Sequence, residues 1–340
     1  MVPYVWSDDC LRHEPDAEVW VGVRTPATEV PGRALAIREA LTAAGAREVA
    51  ATAHDDSALL AVHDPTLVEY LRTAWDEWSA AALPSDRVVP YVFARSELTS
   101  GREPALPAAV WARPGLFAYD TMTLIGPGTW EAARAAVDVA LTAVDFVANG
   151  EPLAYACCRP PGHHVTRSLY GGSCYLNNTA IAASALLERV GGRVAVVDID
   201  AHHGNGTQEL FLARDDVLTA SVHVDPGAGW FPHFLGFAAD SDAANLNLPL
   251  APGTGDEGWL PAVEQAAAFA SSAQGLVIAL GVDAAAGDPE SPLEVTAAGY
   301  REAGRILGEL ELPTVVVQEG GYDLATIGPL VVETLTGLAR

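Results

Sequence analysis

Lysine is absent from this chain of 340 residues: all 19 basic residues are arginine, set against 44 acidic ones, for a formal net charge of −25. The missing lysine and the abundant alanine together suggest a GC-rich bacterial source. So few positive charges argue against nonspecific binding to nucleic acid or to an anionic membrane, because the field of the whole protein would repel a polyanion. A cationic ligand would be drawn in, although an acidic surface also serves solubility alone. Cysteine is scarce. Cys10, Cys157, Cys158 and Cys174 show no CxxC spacing, so neither a thiolate zinc site nor a redox dithiol is indicated, and a reducing compartment fits best. No run of 18 apolar residues occurs, and the N-terminal MVPYVWSDDCLRHEP lacks the basic and apolar regions of a signal peptide. The expectation is a soluble, cytoplasmic protein. Internal repeats, Ser/Gly-rich linkers and blocks of like charge are also missing. With 50% of its residues hydrophobic, the chain can bury one large core, and one α/β domain over residues 1–340 is the simplest reading.

What the sequence does contain is a repeated alternation of short β-branched runs with Ala-rich stretches, the pattern of βαβ units around a parallel sheet sandwiched by helices. The clearest strands are residues 153–158, 193–199, 217–224, 275–280 and 314–318. Crossover helices are expected over 129–147, 178–190 and 258–271. Polar clusters follow each strand at its carboxyl end: RPPGHH, DIDAHHGNG, SVHVDP, GVDAAAGDP and QEGGY. That edge is where open α/β sheets bind ligands, so the five clusters should meet in one active site.

Asp200 and His202 are two residues apart on a segment leaving a strand and can point the same way. Asp283 lies just beyond another strand. One nitrogen and two carboxylates suit Zn²⁺, and also Fe²⁺ or Mn²⁺, and three protein ligands leave a position open. An isolated DxH is more often a turn after a strand. The full stretch from Asp198 to Thr207, Asp-Ile-Asp-Ala-His-His-Gly-Asn-Gly-Thr, is far more specific. It resembles the histone deacetylase family, which shares a parallel-sheet fold with the arginases. The resemblance runs from Glu29-Val-Pro-Gly-Arg33 through Phe117-Ala-Tyr-Asp-Thr121, Arg159-Pro-Pro-Gly-His-His164 and the Asp/His signature to Glu319-Gly-Gly-Tyr322. The wording of Trp230-Phe231-Pro232 and the residues after it, up to Phe237, is close to the acetylpolyamine amidohydrolase branch.

The resemblance implies a metal-dependent amidohydrolase that removes acetyl groups from small cationic N-acyl amines. A protein acetyl-lysine deacylase is the alternative in the same enzyme class, and a noncatalytic acyl-binding protein the alternative outside it. His164 would be the general base and His163 its electrostatic partner, oriented by Asp198, while Asn205 would hold the tautomer of His164 without adding charge. Lacking that charge, His164 should stay neutral to lower pH than it would beside an aspartate. Tyr322, behind Gly320 and Gly321, would donate to the substrate carbonyl oxygen, and family members without this tyrosine are weak or inactive. Arginase relatives need further carboxylates at the positions of Gly204 and Ala285, so one metal ion is expected here. Gly172, Ser173 and Phe231 would line the acyl tunnel. Ser173 stands where the family usually has an aromatic ring, and its small size should widen the slot. Structural K⁺ or Na⁺ is implied at Ser221, with main-chain oxygens of Asp198, Asp200, His202 and Val222.

Residues 84–115, rich in Pro and Arg, are too long for an ordinary connection. A similar insertion in the polyamine branch builds a dimer interface that narrows the mouth, so a homodimer is expected. Glu97, Glu103 and Asp120 are candidates for holding the distal ammonium. Arg33 is a candidate for lining the route by which acetate leaves.

Overall fold

A computed structural model describes residues 2–339. Among the described residues ten strands occur in chain order: β1 (Tyr4–Trp6), β2 (Ala17–Trp20), β3 (Val23–Pro26), β4 (Glu48–Ala50), β5 (Leu153–Ala156), β6 (Val194–Asp198), β7 (Val217–Val224), β8 (Asn245–Leu250), β9 (Gly275–Leu280) and β10 (Thr314–Gln318). Eight form one sheet in the order β4-β1-β5-β10-β9-β6-β7-β8, and each of its pairings is parallel. The other two, β2 and β3, pair as a separate antiparallel hairpin.

Strand periodicity splits the core in two. Val194, Val196, Val315 and Val317 face one layer, whereas Ala195, Val197 and Val316 face the other, as a period of two requires of strands buried on both faces. Helices Pro65–Ala80, Thr129–Ala148 and Asn178–Val190 cover the first face. Helices Gly32–Ala43, Asp256–Ala270, Ala297–Gly308 and Ile327–Leu338 cover the second. The five strands read from the sequence are present, with ends shifted by up to two residues. The short β1 and β4 and the edge strand β8 lie outside that reading. The last, Asn-Leu-Asn-Leu-Pro-Leu, carries Pro249, which an edge position tolerates.

The strand order reverses beside β6. After β6 the chain adds β7 and β8 on one side, then returns to place β9 and β10 on the other. A crevice opens at such a switch point, outside the carboxyl ends of the strands. Asp200 and His202 follow β6, and Asp283 follows β9, so the two neighbouring strands at the reversal deliver all three.

Residues 84–115 form bends and turns with two short helical pieces, Val110–Ala112 and Pro114–Phe117. Tyr91, Leu98, Leu106 and Trp111 along this segment are exposed.

Candidate active site

The three metal-ligand candidates converge. Their donor atoms all lie within 4.8 Å of one another, with His202 Nδ1 3.2 Å from Asp200 Oδ1 and 3.0 Å from Asp283 Oδ2. Ligands on a tetrahedral Zn²⁺ with bonds of ~2.0–2.1 Å are separated by ~3.3 Å, so these donors already stand at ligand spacing. The remaining carboxylate oxygens are held by main-chain donors: Ala201 N–H to Asp283 Oδ1 at 2.8 Å, and Gly320 N–H to Asp200 Oδ2 at 2.7 Å. Such outer contacts fix the ligands, and Asp200 Oδ1 also accepts the main-chain N–H of His202 at 2.8 Å. At Gly320 a β-carbon would lie 2.3 Å from Asp283 Oδ2 and 2.5 Å from Asp200 Oδ2, so only glycine admits this approach. The residues present therefore fit a divalent ion. They do not fit a second one placed as in the arginases. A β-carbon at Gly204 would already lie 2.3 Å from Asp198 Oδ2, and Ala285 offers no donor.

Beside the triad stand the paired histidines, their ring centroids 4.0 Å apart. His163 Nδ1 is 2.9 Å from Asp198 Oδ2, and His164 Nδ1 is 2.7 Å from Asn205 Oδ1. Each contact occupies one ring nitrogen and leaves Nε2 toward the site. Burial disfavours a charged His163, but the Asp200 and Asp198 carboxylates outweigh it and hold the imidazole at about 10. His164 goes the other way. Burial, then the nearby charges of His163 and His202, push it well below its ordinary 6.5. The two shifts run in opposite directions, His163 toward the cation and His164 toward the neutral base.

Tyr322 packs under Arg33, whose guanidinium carbon is 4.5 Å from the ring centroid. Arg33 Nε donates to Gly321 O at 2.5 Å and Nη2 to Glu319 O at 2.6 Å, so Arg33 grips the strand end that carries the tyrosine. Burial raises the phenol well above 10, against the pull of Arg33, and the hydroxyl remains a donor.

His164, His202 and Tyr322 line a cavity of about 570 Å³ together with Gly172, Ser173, Phe231, Trp20, Met122, Glu18 and Glu290. Phe231 meets His164 edge-on at 4.7 Å. No second aromatic stands at Ser173, whose backbone is left-handed (φ 60). Ser221 borders a separate small buried cavity with Asp198 and Asn245, and Val222 is buried in β7 beside it.

Asp120 lines the adjoining recess rather than this cavity. Its carboxylate accepts from Met122 N–H, Thr123 N–H, Thr123 Oγ1 and Gly172 N–H, at 2.6–3.1 Å. Four donors leave it no free oxygen for an ammonium, and it serves instead as the anchor of the Gly172 loop. Glu97 and Glu103 are exposed on the 84–115 segment and line neither this cavity nor the adjoining apolar recess of about 700 Å³.

Sequence reasoning missed Glu18 and Glu290. The signal for Glu18 was present: Ala-Glu-Val-Trp, a Val-Gly turn and Val-Arg-Thr-Pro read as a hairpin, with Glu18 and Trp20 on one face. Glu319 opens the Glu-Gly-Gly-Tyr motif and ties the histidine loop to it. Its carboxylate accepts from Gly162 N–H at 2.6 Å, His163 N–H at 3.1 Å and Thr179 Oγ1 at 2.6 Å.

The histone deacetylase domain matches residues 27–338. The chain belongs to the histone deacetylase family. This deacetylase is 36% identical over 345 residues to the acetylpolyamine amidohydrolase of Mycoplana ramosa, covering 98% of this chain and 99% of that one. It is 38% identical over 343 residues to acetylpolyamine amidohydrolase 1 of Pseudomonas aeruginosa, covering 98% and 97%. The crystal structure of acetylpolyamine aminohydrolase from Burkholderia pseudomallei superposes on the deacetylase with a TM-score of 0.94 at 35% identity, over 100% of this chain and 99% of that one. The fold is that of the family, and the protein is a hydrolytic deacetylase.

Proposed function

We propose that this deacetylase uses one divalent metal ion, Zn²⁺ above Fe²⁺ or Mn²⁺, to remove acetyl groups from small cationic N-acetylated amines such as acetylpolyamines. One observation carries the reading: His202, the least buried member of the Asp200/His202/Asp283 triad, shares a cavity with a neutral His164, a protonated Tyr322 and two carboxylates, Glu18 and Glu290. Neither carboxylate has a cationic partner among the described residues, so a substrate ammonium would supply the missing charge.

When bound, the ion supplies polarisation of the acyl carbonyl and acidification of a water molecule. The rest of the chemistry belongs to side chains. His164 Nε2 takes the proton of the attacking water, since Nδ1–H is committed to Asn205, and returns it to the amine nitrogen as the C–N bond breaks. His163 stays charged on Asp198 and stabilises negative charge that develops beside it. Tyr322 donates to the carbonyl oxygen as that oxygen becomes anionic. Gly172, Ser173 and Phe231 guide the methylene chain, and Gly320 and Gly321 let the tyrosine strand approach the ligands.

The same reading includes K⁺ or Na⁺ near Ser221 and Val222, and a homodimer formed through residues 84–115, whose exposed Tyr91, Leu98 and Trp111 favour a second copy as partner. It places the enzyme in the bacterial cytoplasm, with residues 1–340 as one domain. Turnover of acetylputrescine, acetylspermidine and an acetyl-lysine peptide by the zinc-loaded protein tests it. Preference for the two polyamines supports the proposal, and efficient deacetylation of the peptide or of an intact acetylated protein overturns it.

A further inference from the structure

The Gly320-Gly321 pair creates a difficulty for the residue that follows. Gly320 must lack a side chain to reach the Asp200 and Asp283 carboxylates, and Gly321 adopts φ 120, where a β-carbon would lie 2.6 Å from Val282 Cγ2. Two adjacent glycines give the backbone more freedom than any other pair. Tyr322 comes next, and its hydroxyl has to hold a fixed place: a displacement of about 1 Å in a catalytic group can cost ~10²-fold in rate. Some other group must remove that freedom.

Asp288 is placed to do so. It lies on the loop that leaves β9, five positions after Asp283, and is 7% exposed. Its Oδ2 accepts the main-chain N–H of Tyr322 at 2.7 Å and that of Asp323 at 3.2 Å. Its Oδ1 accepts the N–H of Glu290 at 3.0 Å, a local turn that fixes the rotamer of Asp288 itself. The loop is braced in turn, with Ala286 N–H donating to Val295 O and Val295 N–H to Ala284 O, both at 3.0 Å. Among the described residues, no side chain other than Asp288 bonds the Tyr322 N–H. Arg33 secures the tyrosine ring and the carbonyls before it; Asp288 secures the amide at the residue itself.

We propose that Asp288 is the positioning residue for Tyr322: its carboxylate ties the metal-ligand loop to the tyrosine backbone and so sets where the phenol hydroxyl stands relative to the ion. The inference rests on the reading of Tyr322 as the oxyanion donor. It assigns Asp288 no contact with substrate. Because the same carboxylate holds the N–H of Glu290, one group fixes both the oxyanion donor and an acid of the cavity wall.

A double-mutant cycle on the zinc-loaded protein tests this. In Asp288→Ala, kcat for an acetylated polyamine should fall about tenfold or more, with KM within about twofold and one zinc per chain retained. In the Tyr322→Phe background the same substitution should cost less than about twofold, because the hydroxyl it positions is gone. Asp288→Asn, which keeps the volume and one acceptor oxygen, should recover most of the turnover. A merely structural role would lower activity by the same factor in both backgrounds, and that result overturns the proposal, as does a loss of zinc or a change confined to KM. Should the alanine variant fail to fold, Asp288→Ser, whose shorter side chain falls short of the Tyr322 N–H, carries the cycle: a loss of kcat that vanishes beside Tyr322→Phe supports the proposal, and wild-type kcat overturns it. The reading beneath is separated by Tyr322→Phe alone. If that single variant keeps wild-type turnover, the role of Tyr322 fails before Asp288 is tested.

Discussion

Glu319 Oε2 accepts the main-chain N–H of His163 at 3.1 Å, across 156 residues of sequence. The contact locks the loop bearing the paired histidines to the strand end bearing Tyr322, in a site where the carboxylate is fully enclosed. Removing it strands the N–H groups of Gly162 and His163 and the hydroxyl of Thr179, each at ~1–3 kcal/mol. Glu319→Ala should lower unfolding stability by ~3 kcal/mol or more in urea titration. Glu319→Gln should lose less, since its oxygen can take both N–H groups while its NH₂ donates to the Thr179 oxygen. Equal losses in the two variants would mean that volume, not hydrogen bonding, is what matters there.

The metal site should hold one ion per chain. Exhaustive chelation should abolish activity and a single equivalent of Zn²⁺ should restore it. Asp283→Ala should bind the metal at least tenfold more weakly, read by competition with a chromophoric chelator. Full occupancy with undiminished turnover in that variant would remove Asp283 from the ligand set.

Tyr322→Phe should lower kcat by ~10² or more with a smaller effect on KM, because the lost hydrogen bond strengthens only as the oxyanion forms. Zinc content and the unfolding midpoint report whether the change is confined to chemistry. A variant that loses its fold or its metal would make the tyrosine structural.

Glu18 sets a pH dependence. Burial, and then the charge of Glu290, push its carboxyl up to about 7 from the ordinary 4.5, so it gains charge as pH rises through neutrality. KM for a cationic acetylpolyamine should fall between pH 6 and 8, with no comparable fall for an uncharged acetylated alkylamine of equal length. Glu18→Gln should flatten that profile and raise KM at pH 8 about tenfold, the equivalent of ~1.4 kcal/mol. Stability runs the opposite way. The folded state keeps a proton that the unfolded chain releases near 4.5, so the contribution of Glu18 is lost as pH rises from there to about 7.

Ser173→Tyr should restore a second ring to the slot opposite Phe231. Catalytic efficiency for acetylputrescine relative to a bulkier acyl-amine should then increase, measured at matched zinc content. Ser173 already carries a β-carbon in the left-handed region, so the larger side chain adds no new backbone penalty of that kind. An unchanged ratio would show that residue 173 does not face the substrate.

Much of this molecule was readable before any coordinates. Five strand cores and the helices between them follow from hydrophobic period and β-branching, and both signals are local. The convergence of the three candidate ligands was readable too, because Asp200 and His202 sit on one short segment after β6 and Asp283 sits at the matching place after β9. Where a motif lies at a strand end in a parallel sheet, the sheet itself brings the ends together.

Carboxylates were the residues whose direction the sequence left open. Asp120 and Glu18 are both acidic and both near the mouth. Yet Asp120 turns inward to cap Gly172, 52 residues away, while Glu18 faces the cavity from a hairpin outside the main sheet. Glu319 and Asp288 likewise take main-chain donors on segments remote in sequence. A carboxylate goes where unsatisfied N–H groups or a cavity await it once it is buried. Hydrophobic period determined the sheet, and the quoted motifs carried the resemblance to the family; tertiary packing alone decided which acidic groups were spent on backbone donors and which were left facing the cavity.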